Sequence, residues 1–267
     1  MRKISELMDL SGRRAILVGG AGHIGLGAAE TLWELGANIA LLDIDLDTCE
    51  RRAQEMSGRR AGSACAVYCD LLQAESAMAA IQGAIQLLGG ADILINCAGY
   101  VGTTKVRGWA VPFEQQTAEA FEEAIFVNLT AAFVMAKEAR SSLQQSGHGS
   151  IILFLSTYAM VGPDPSLYVG TEMANPVGYG ASKGGLLQLT RYLATTFAPT
   201  IRVNAISPGG VWRGYPETFH ERYKARTPLK RMAVEEDLKG AIAFLASDLS
   251  AYVTGHNLVV DGGWTAW

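Results

Sequence analysis

Short, largely apolar runs alternate along the chain with longer stretches in which apolar residues return every three or four positions. The runs fall at 15–19, 38–42, 64–69, Ile93–Asn96, 151–156, 201–206 and Asn257–Val260. The helical period occupies 24–35, starts again over 47–54, and recurs at 75–88, 118–143, 179–197 and 235–246. A strand with one wet face alternates apolar and polar residues. Ile93-Leu94-Ile95 is apolar throughout, as a strand covered on both faces is. The alternation of such strands with helices predicts the α/β class: one domain over 1–267, built on a doubly wound parallel sheet of about seven strands with helices on both faces. Ligands of such sheets bind beyond the carboxyl ends of the strands.

Composition narrows this picture without changing it. Of 267 residues, 49% are hydrophobic and 18% charged, which suits one large core and excludes a disordered chain. The net charge is −4 with both signs scattered, and without a basic stripe nucleic acid is not an expected partner. No apolar run of about 18 residues offers a membrane span, and residues 1–11 carry charge where a signal peptide needs an apolar run. The four cysteines, Cys49, Cys65, Cys69 and Cys97, lack zinc-like spacing. No metal site is expected, and the thiols read as those of a cytoplasmic protein.

The first run leads directly into Gly19-Gly20-Ala21-Gly22-His23-Ile24-Gly25, with the helical period following. Glycines at 19, 22 and 25 permit a tight turn and a close approach of backbone to a pyrophosphate, which then meets the free N–H groups at the helix start, those of His23 and Ile24 among them. Strand before and helix after are the context that a dinucleotide site requires. Asp43, followed by Ile44, ends the second run. A carboxylate there accepts hydrogen bonds from the adenosine ribose hydroxyls and repels a 2′-phosphate. No Lys or Arg stands beside it or within the glycine turn, so NAD is expected rather than NADP. Asp45 competes for this role, and either acid also reads as a helix cap. Asp70, with Leu71 after it, follows the third run, where it reaches an adenine edge or caps a helix. Asn96-Cys97-Ala98-Gly99 closes the fourth run, and the small Ala98 and Gly99 let a cofactor lie along the backbone.

Tyr179 and Lys183 stand four apart at the start of a helical stretch and so share one helix face. A free phenol has a pKa of about 10. An adjacent ammonium favours the phenolate, and a phenol tuned toward neutrality can exchange a proton with an alcohol. Ser156 ends the fifth run and points to the same crevice. Asn128, in Phe126-Val127-Asn128-Leu129, is a polar residue in an apolar helix and must find hydrogen-bond partners.

Taken in order, these residues resemble the motifs of the short-chain dehydrogenase/reductase family, and the resemblance covers nearly the whole chain. It extends through Ser207-Pro208-Gly209, Thr254-Gly255-His256-Asn257 and Val260-Asp261-Gly262-Gly263. It implies a Rossmann-type fold and NAD-dependent interconversion of a secondary alcohol and a ketone on a small-molecule substrate. It also implies a catalytic tetrad of Asn128, Ser156, Tyr179 and Lys183. Lys183 would touch the nicotinamide ribose, Asn128 would hold a proton-relay water, and Pro208, Gly209 and Val211 would lie beside the nicotinamide. Assembly as a homodimer or homotetramer through 118–143 and 179–197 follows from the same resemblance. The chain departs from the family pattern at Val18, where threonine is usual, at His23, where glycine is usual, and at Cys97, where a second asparagine is usual.

Ser156 and Tyr179 stand 23 residues apart, farther than is common in the family. The intervening 157–178, with Asp164, Glu172 and Asn175, is expected to overhang the site. A second lid segment is expected at 210–228, where Trp212 and Arg213 are candidate substrate contacts and Tyr215, Glu217, His220, Arg222 and Arg226 follow. Lys105, Arg107 and Trp109 are expected to border the same pocket. This polar and basic mixture points to a polyol, sugar acid or phosphosugar, and the chain is similar to a bacterial subgroup of sugar and sugar-acid oxidoreductases, gluconate 5-dehydrogenase-like and flagellin-modification (nonulosonate) proteins among them. Two other readings stay open. One is a sugar-nucleotide epimerase or dehydratase that retains NAD. The other is a non-catalytic NAD-binding redox sensor.

Overall fold

Seven parallel strands form one sheet in the order β3-β2-β1-β4-β5-β6-β7. They are β1 (Arg14–Val18), β2 (Asn38–Asp43), β3 (Ala64–Tyr68), β4 (Ile93–Asn96), β5 (Gly149–Phe154), β6 (Ile201–Pro208) and β7 (Asn257–Val260). The computed structural model describes residues 1–102 and 104–267. Nine α-helices are described: α1 (Ile4–Met8), α2 (His23–Glu34), α3 (Leu46–Arg59), α4 (Ala74–Leu88), α5 (Ala118–Ile125), α6 (Ala131–Ser146), α7 (Val177–Phe197), α8 (Glu217–Arg226) and α9 (Glu236–Ala246). Among the described residues, no helix is long and apolar enough to cross a membrane.

The all-apolar strands are explained by two cores. Ile16, Val18, Leu42 and Leu94 face one side and pack with Ile81 of α4, Met135 of α6 and Leu186 of α7. Leu17, Leu41, Ile93 and Ile95 alternate to the other side and pack with Leu32 of α2, Met56 of α3 and Ile242 of α9. Burying one such aliphatic side chain contributes about 1.5–3 kcal/mol. A strand that feeds two cores therefore gains on both faces, and the exposed strand positions fall on the edge strands β3 and β7. Tyr68 at the end of edge strand β3 is 48% exposed.

The chain reverses its winding between β1 and β4, and this places the site. Val18 pairs with Leu42 on one side and with Asn96 on the other. Gly19, Asp43 and Cys97 therefore leave the sheet side by side, at the topological switch point where open α/β sheets take their ligands.

Three features depart from the sequence pattern. The stretch 118–143 is not one regular helix. Between α5 and α6, Phe126–Thr130 widens into a π turn in which the Ala131 N–H reaches back to the Phe126 carbonyl. Such turns insert one residue and re-aim side chains, often at functional sites. Here the re-aimed residue is Asn128, fully buried. The run 151–156 is strand only as far as Phe154, so Ser156 stands beyond the sheet. The segment 210–228 contains a helix, α8, which has little apolar periodicity to announce it.

The segments 157–178 and 210–228 join into one wall. Asp164 forms an ion pair with Arg226, and Arg222 donates to the Val169 carbonyl. The rings of Tyr168 and Phe219 lie 5.5 Å apart. Leu167, Phe219, Tyr223, Met232 and Trp264 form a small core between the segments and the chain's final turn.

Candidate active site

A cleft of about 1020 Å³ opens over the carboxyl ends of β1, β2, β4, β5 and β6 and is closed on its far side by the joined wall. Its two ends differ in chemistry. One carries the glycine turn with Asp43 and Asp70, and the other carries Tyr179 and Lys183.

At the first end, Gly19 has φ +86°, and a Cβ there would lie 2.6 Å from the Ala98 backbone nitrogen. The turn after β1 and the loop after β4 thus touch backbone to backbone. A Cβ on Gly25 would stand 1.9 Å from the Gly19 carbonyl oxygen, so the helix can start this close to the strand only with glycine. Gly22 caps α2 without a side-chain hydrogen bond, which leaves the first-turn N–H groups available to an anion. Gly22, His23, Ile24 and Gly25 all line the cleft. This bare cradle fits a dinucleotide pyrophosphate.

The Asp43 carboxylate accepts from the Ala21 N–H at 3.0 Å and from the Asp45 N–H at 3.1 Å. Its position is thereby locked, and it lines the cleft together with Ile44. Asp45 caps α3 by accepting from the Thr48 N–H at 3.1 Å. Asp70 lines the cleft beside Leu71 and also accepts from the Leu72 N–H and the Gln73 amide, both at 2.9 Å. It does not cap the following helix, whose N-cap residue is Gln73 without a side-chain cap; it holds the turn before α4 instead. Ala98, Gly99, Pro208, Gly209 and Val211 lie on the cleft wall. Asn96 does not. It is buried and turns back to accept from the Ala98 N–H at 3.1 Å, shaping the loop from behind.

Sequence reasoning missed Arg52. It comes from α3 and donates to the carbonyls of Gly20 and Gly22, the latter at 3.1 Å. A cation therefore does stand at the glycine turn, although none is adjacent in sequence.

At the second end, the Lys183 ammonium is buried and donates to the Phe154 carbonyl at 2.8 Å. It lies 5.8 Å from the centre of the Tyr179 ring. Burial lowers the lysine to about 8, so the group still carries its proton at neutral pH. The Tyr179 phenol is raised by burial, opposed by a hydrogen bond with Ser156. The lowering by lysine expected from the spacing alone is not what sets the phenol here. Desolvation outweighs the Ser156 hydrogen bond, and in the free protein Tyr179 is a neutral acid. Ser156 is buried, lines the cleft and accepts from the Tyr158 N–H at 3.2 Å.

Asn128 lies behind this group, not on the cleft wall. Its Oδ1 accepts from the Tyr100 N–H at 2.6 Å, and its Nδ2 donates to the Ser182 hydroxyl at 2.9 Å and to the Tyr100 carbonyl at 3.3 Å. Ser182 in turn donates to the Tyr179 carbonyl at 2.8 Å. The amide thus ties the loop after β4 to the first turn of α7.

The candidate substrate residues divide. Arg213 lines the cleft, but its guanidinium pairs with Glu235 at 2.8 Å and donates to the Trp212 carbonyl at 2.6 Å. Trp212 stacks on His220 at 4.2 Å and is not on the cleft wall. Lys105 and Arg107 are exposed and also off the wall. Trp109 is buried, donates to the Val101 carbonyl at 2.8 Å and packs with Ala120 and Ala124 of α5. It supports the site from within the core.

A family model described as enoyl-(acyl carrier protein) reductase matches residues 19–265. The ribulose-forming D-arabinitol 2-dehydrogenase of Scheffersomyces stipitis is 34% identical over 281 residues, covering 97% of this chain and 95% of that protein. Among solved structures, a short-chain type dehydrogenase/reductase from Mycobacterium marinum has a TM-score of 0.86 at 30% identity, with 100% of both chains covered. A gluconate 5-dehydrogenase from Burkholderia cenocepacia, in complex with NADP and tartrate, also has a TM-score of 0.86, at 27% identity, with 99% of this chain and 100% of that one covered. All three carry dehydrogenase names, and none lends support to an epimerase or a sensor.

Proposed function

The chain belongs to the short-chain dehydrogenase/reductase family, and from that footing we propose that it oxidises a secondary alcohol to a ketone, or the reverse, with Tyr179 as the proton-transferring group. The family's oxidoreductase activity and its use of NAD(P) carry over directly. The residue roles, the choice between cofactors and the substrate are our own reading. The convergence of Ser156, Tyr179 and Lys183 at one end of the cleft that carries the glycine cradle at the other supports it best.

Ser156 and Tyr179 hold the substrate oxygen between two hydroxyls. For oxidation, Tyr179 must be a phenolate, which takes the proton from the substrate hydroxyl. For reduction, the neutral phenol donates it. Lys183, held by the Phe154 carbonyl, supplies the positive charge that makes the phenolate accessible. Asn128 positions the loop after β4 and the start of α7 so that these groups stay in register. A bound nicotinamide supplies the hydride acceptor or donor for the carbinol carbon.

We read NAD as the preferred cofactor. The Asp43 carboxylate is fixed at the ribose end, and Arg52 is engaged by the Gly20 and Gly22 carbonyls. Segments 157–178 and 210–228 serve as the substrate lid, over a polyol, sugar acid or phosphosugar. Phe133 on α6 and Tyr192 on α7 are 47% and 63% exposed in the single chain, which supports a homodimer or homotetramer formed through these helices. Four free thiols suit a cytoplasmic setting.

Tyr179→Phe tests the reading. Turnover should fall by about 10²–10⁴-fold, the span of general acid–base catalysis, while NADH binding followed by its fluorescence stays as in the wild type. Turnover within a fewfold of the wild type would remove Tyr179 from the mechanism.

A further inference from the structure

Beyond the glycine cradle, the cleft is walled at its substrate end by Tyr158, Tyr168, Tyr215 and Tyr223. Among the described residues lining the cleft, its cations are Lys183, Arg213 and, when protonated, His23. None is free to receive an anionic substrate. Lys183 is buried on the Phe154 carbonyl. Arg213 is paired with Glu235. His23 belongs to the glycine turn and lies 3.5 Å from the same Glu235 carboxylate. The remaining charge at the substrate end is Glu172, which repels anions.

We propose that the substrate is an uncharged alcohol carrying several hydroxyls, with its ketone as product, and that sugar acids and phosphosugars are excluded by the closed Arg213–Glu235 pair. This inference rests on the dehydrogenase reading above and narrows its substrate class. A carboxylate or phosphate brought into the cleft would lose water without gaining a cation to replace it. To gain one, it would have to share the Arg213 guanidinium, whose charge the Glu235 carboxylate at 2.8 Å already offsets.

The phenols, by contrast, suit hydroxyls. Burial pushes Tyr158 and Tyr215 up and Tyr223 to about 12, so all three stay neutral, each with a donor and acceptor sites. Tyr158 and Tyr168 share a hydrogen bond of 3.1 Å, and Asn175 donates to Tyr168 at 3.2 Å. Tyr223 accepts from the Gly210 N–H and keeps its own proton to give. Tyr215 has no hydrogen-bond partner among the described residues. Aromatic faces beside these hydroxyls cover the C–H surface of a polyol. The reaction balances without further reagents. The C–H electron pair and its hydrogen pass to oxidised nicotinamide as hydride, the hydroxyl proton passes to Tyr179 and on to solvent, and a C=O bond forms.

The test uses the whole protein with NAD and, in parallel, NADP, read at the nicotinamide absorbance. Substrates are offered as matched sets: pentitols and hexitols, the aldonic acids of the same skeletons, the hexitol phosphates, and cyclohexanol as a neutral alcohol with a single hydroxyl. The inference expects kcat/KM for the best polyol to exceed that for its acid and phosphate by about 100-fold, the equivalent of roughly 3 kcal/mol. It is overturned if an acid or phosphate is preferred, or if cyclohexanol outpaces every polyol. In either case the dehydrogenase reading stands. No turnover of any alcohol with either cofactor, while NADH still binds, defeats that reading and the inference with it. Glu235→Gln tests the cause, because freeing Arg213 should raise acid turnover about tenfold relative to the polyol. No rise would show that the ion pair is not what excludes anions.

Discussion

Lys183 is the residue on which burial and charge are most directly opposed. Its ammonium is nearly inaccessible, and desolvation brings its pKa down from 10.5 to about 8. The unfolded chain therefore binds a proton there, between about pH 8 and 10.5, that the folded chain has released. Stability rises with pH wherever the unfolded state binds more protons. The penalty for burying the charge is thus fully present below pH 8 and is relieved as pH climbs through that window. Compared with Lys183→Met, which has no such group, the wild type should gain in relative stability between pH 7 and pH 10. The gain should be no more than about 3 kcal/mol, at 1.36 kcal/mol per pKa unit. Urea unfolding of both proteins at the two pH values measures it, and a difference that does not change with pH would mean the lysine is not held low. The pairing of Tyr179 with Lys183 was legible from a spacing of four residues. The sign of the tyrosine's shift was not, because spacing reports which groups are neighbours and says nothing of how much water they have lost.

The elements show where local patterns stop informing. The glycine turn was readable because Gly25 answers a clash within the turn itself and Gly19 one with the adjacent loop. Arg52 was not, since α3 must fold back across β2 before its guanidinium meets the turn, and a linear scan beside Asp43 finds no cation. The same holds for the π turn. The apolar period runs on through Phe126-Val127-Asn128-Leu129, and hydrogen bonds to Tyr100 and Ser182, distant in sequence, hold Asn128 inward. The brace from α3 has a measurable consequence. Arg52→Gln replaces charged hydrogen bonds to the Gly20 and Gly22 carbonyls with neutral ones on a half-buried side chain, a loss of roughly 1–2 kcal/mol in the order of the turn. NADH should bind about five- to thirtyfold more weakly, while kcat at saturating cofactor stays near that of the wild type. Titration of NADH fluorescence reads the first and steady-state kinetics the second. Unchanged affinity would mean the turn holds its shape without the brace.

At the scale of the whole molecule, the sheet and the wall over it are built by different rules. The sheet follows from seven largely apolar runs, whose places along the chain could be read from the sequence. The wall depends on partners far apart in the chain. Asp164 meets Arg226, Val169 meets Arg222, and Trp264 from the last turn packs on Tyr158 at 6.1 Å and on Tyr223 at 6.0 Å. Asp164, Arg222 and Arg226 were visible in their two segments, and the joining of those segments was not. Because the wall meets the glycine turn through Arg213, Glu235 and His23 alone among the described contacts, loosening it at its other end should separate substrate affinity from cofactor affinity. The Asp164–Arg226 pair is the place to loosen it. Both side chains are partly exposed, so the pair itself is worth about 0–1 kcal/mol, too little to unfold the chain. It nevertheless anchors the longer segment to α8. Asp164→Asn and Arg226→Gln should each raise KM for the alcohol severalfold with KM for NAD unchanged, and the double variant should resemble either single one, since two substitutions that break one contact are not additive. Equal rises in both KM values would place the effect in the fold at large. Additive effects in the double variant would show that the two residues act separately, and the wall would then be two flaps.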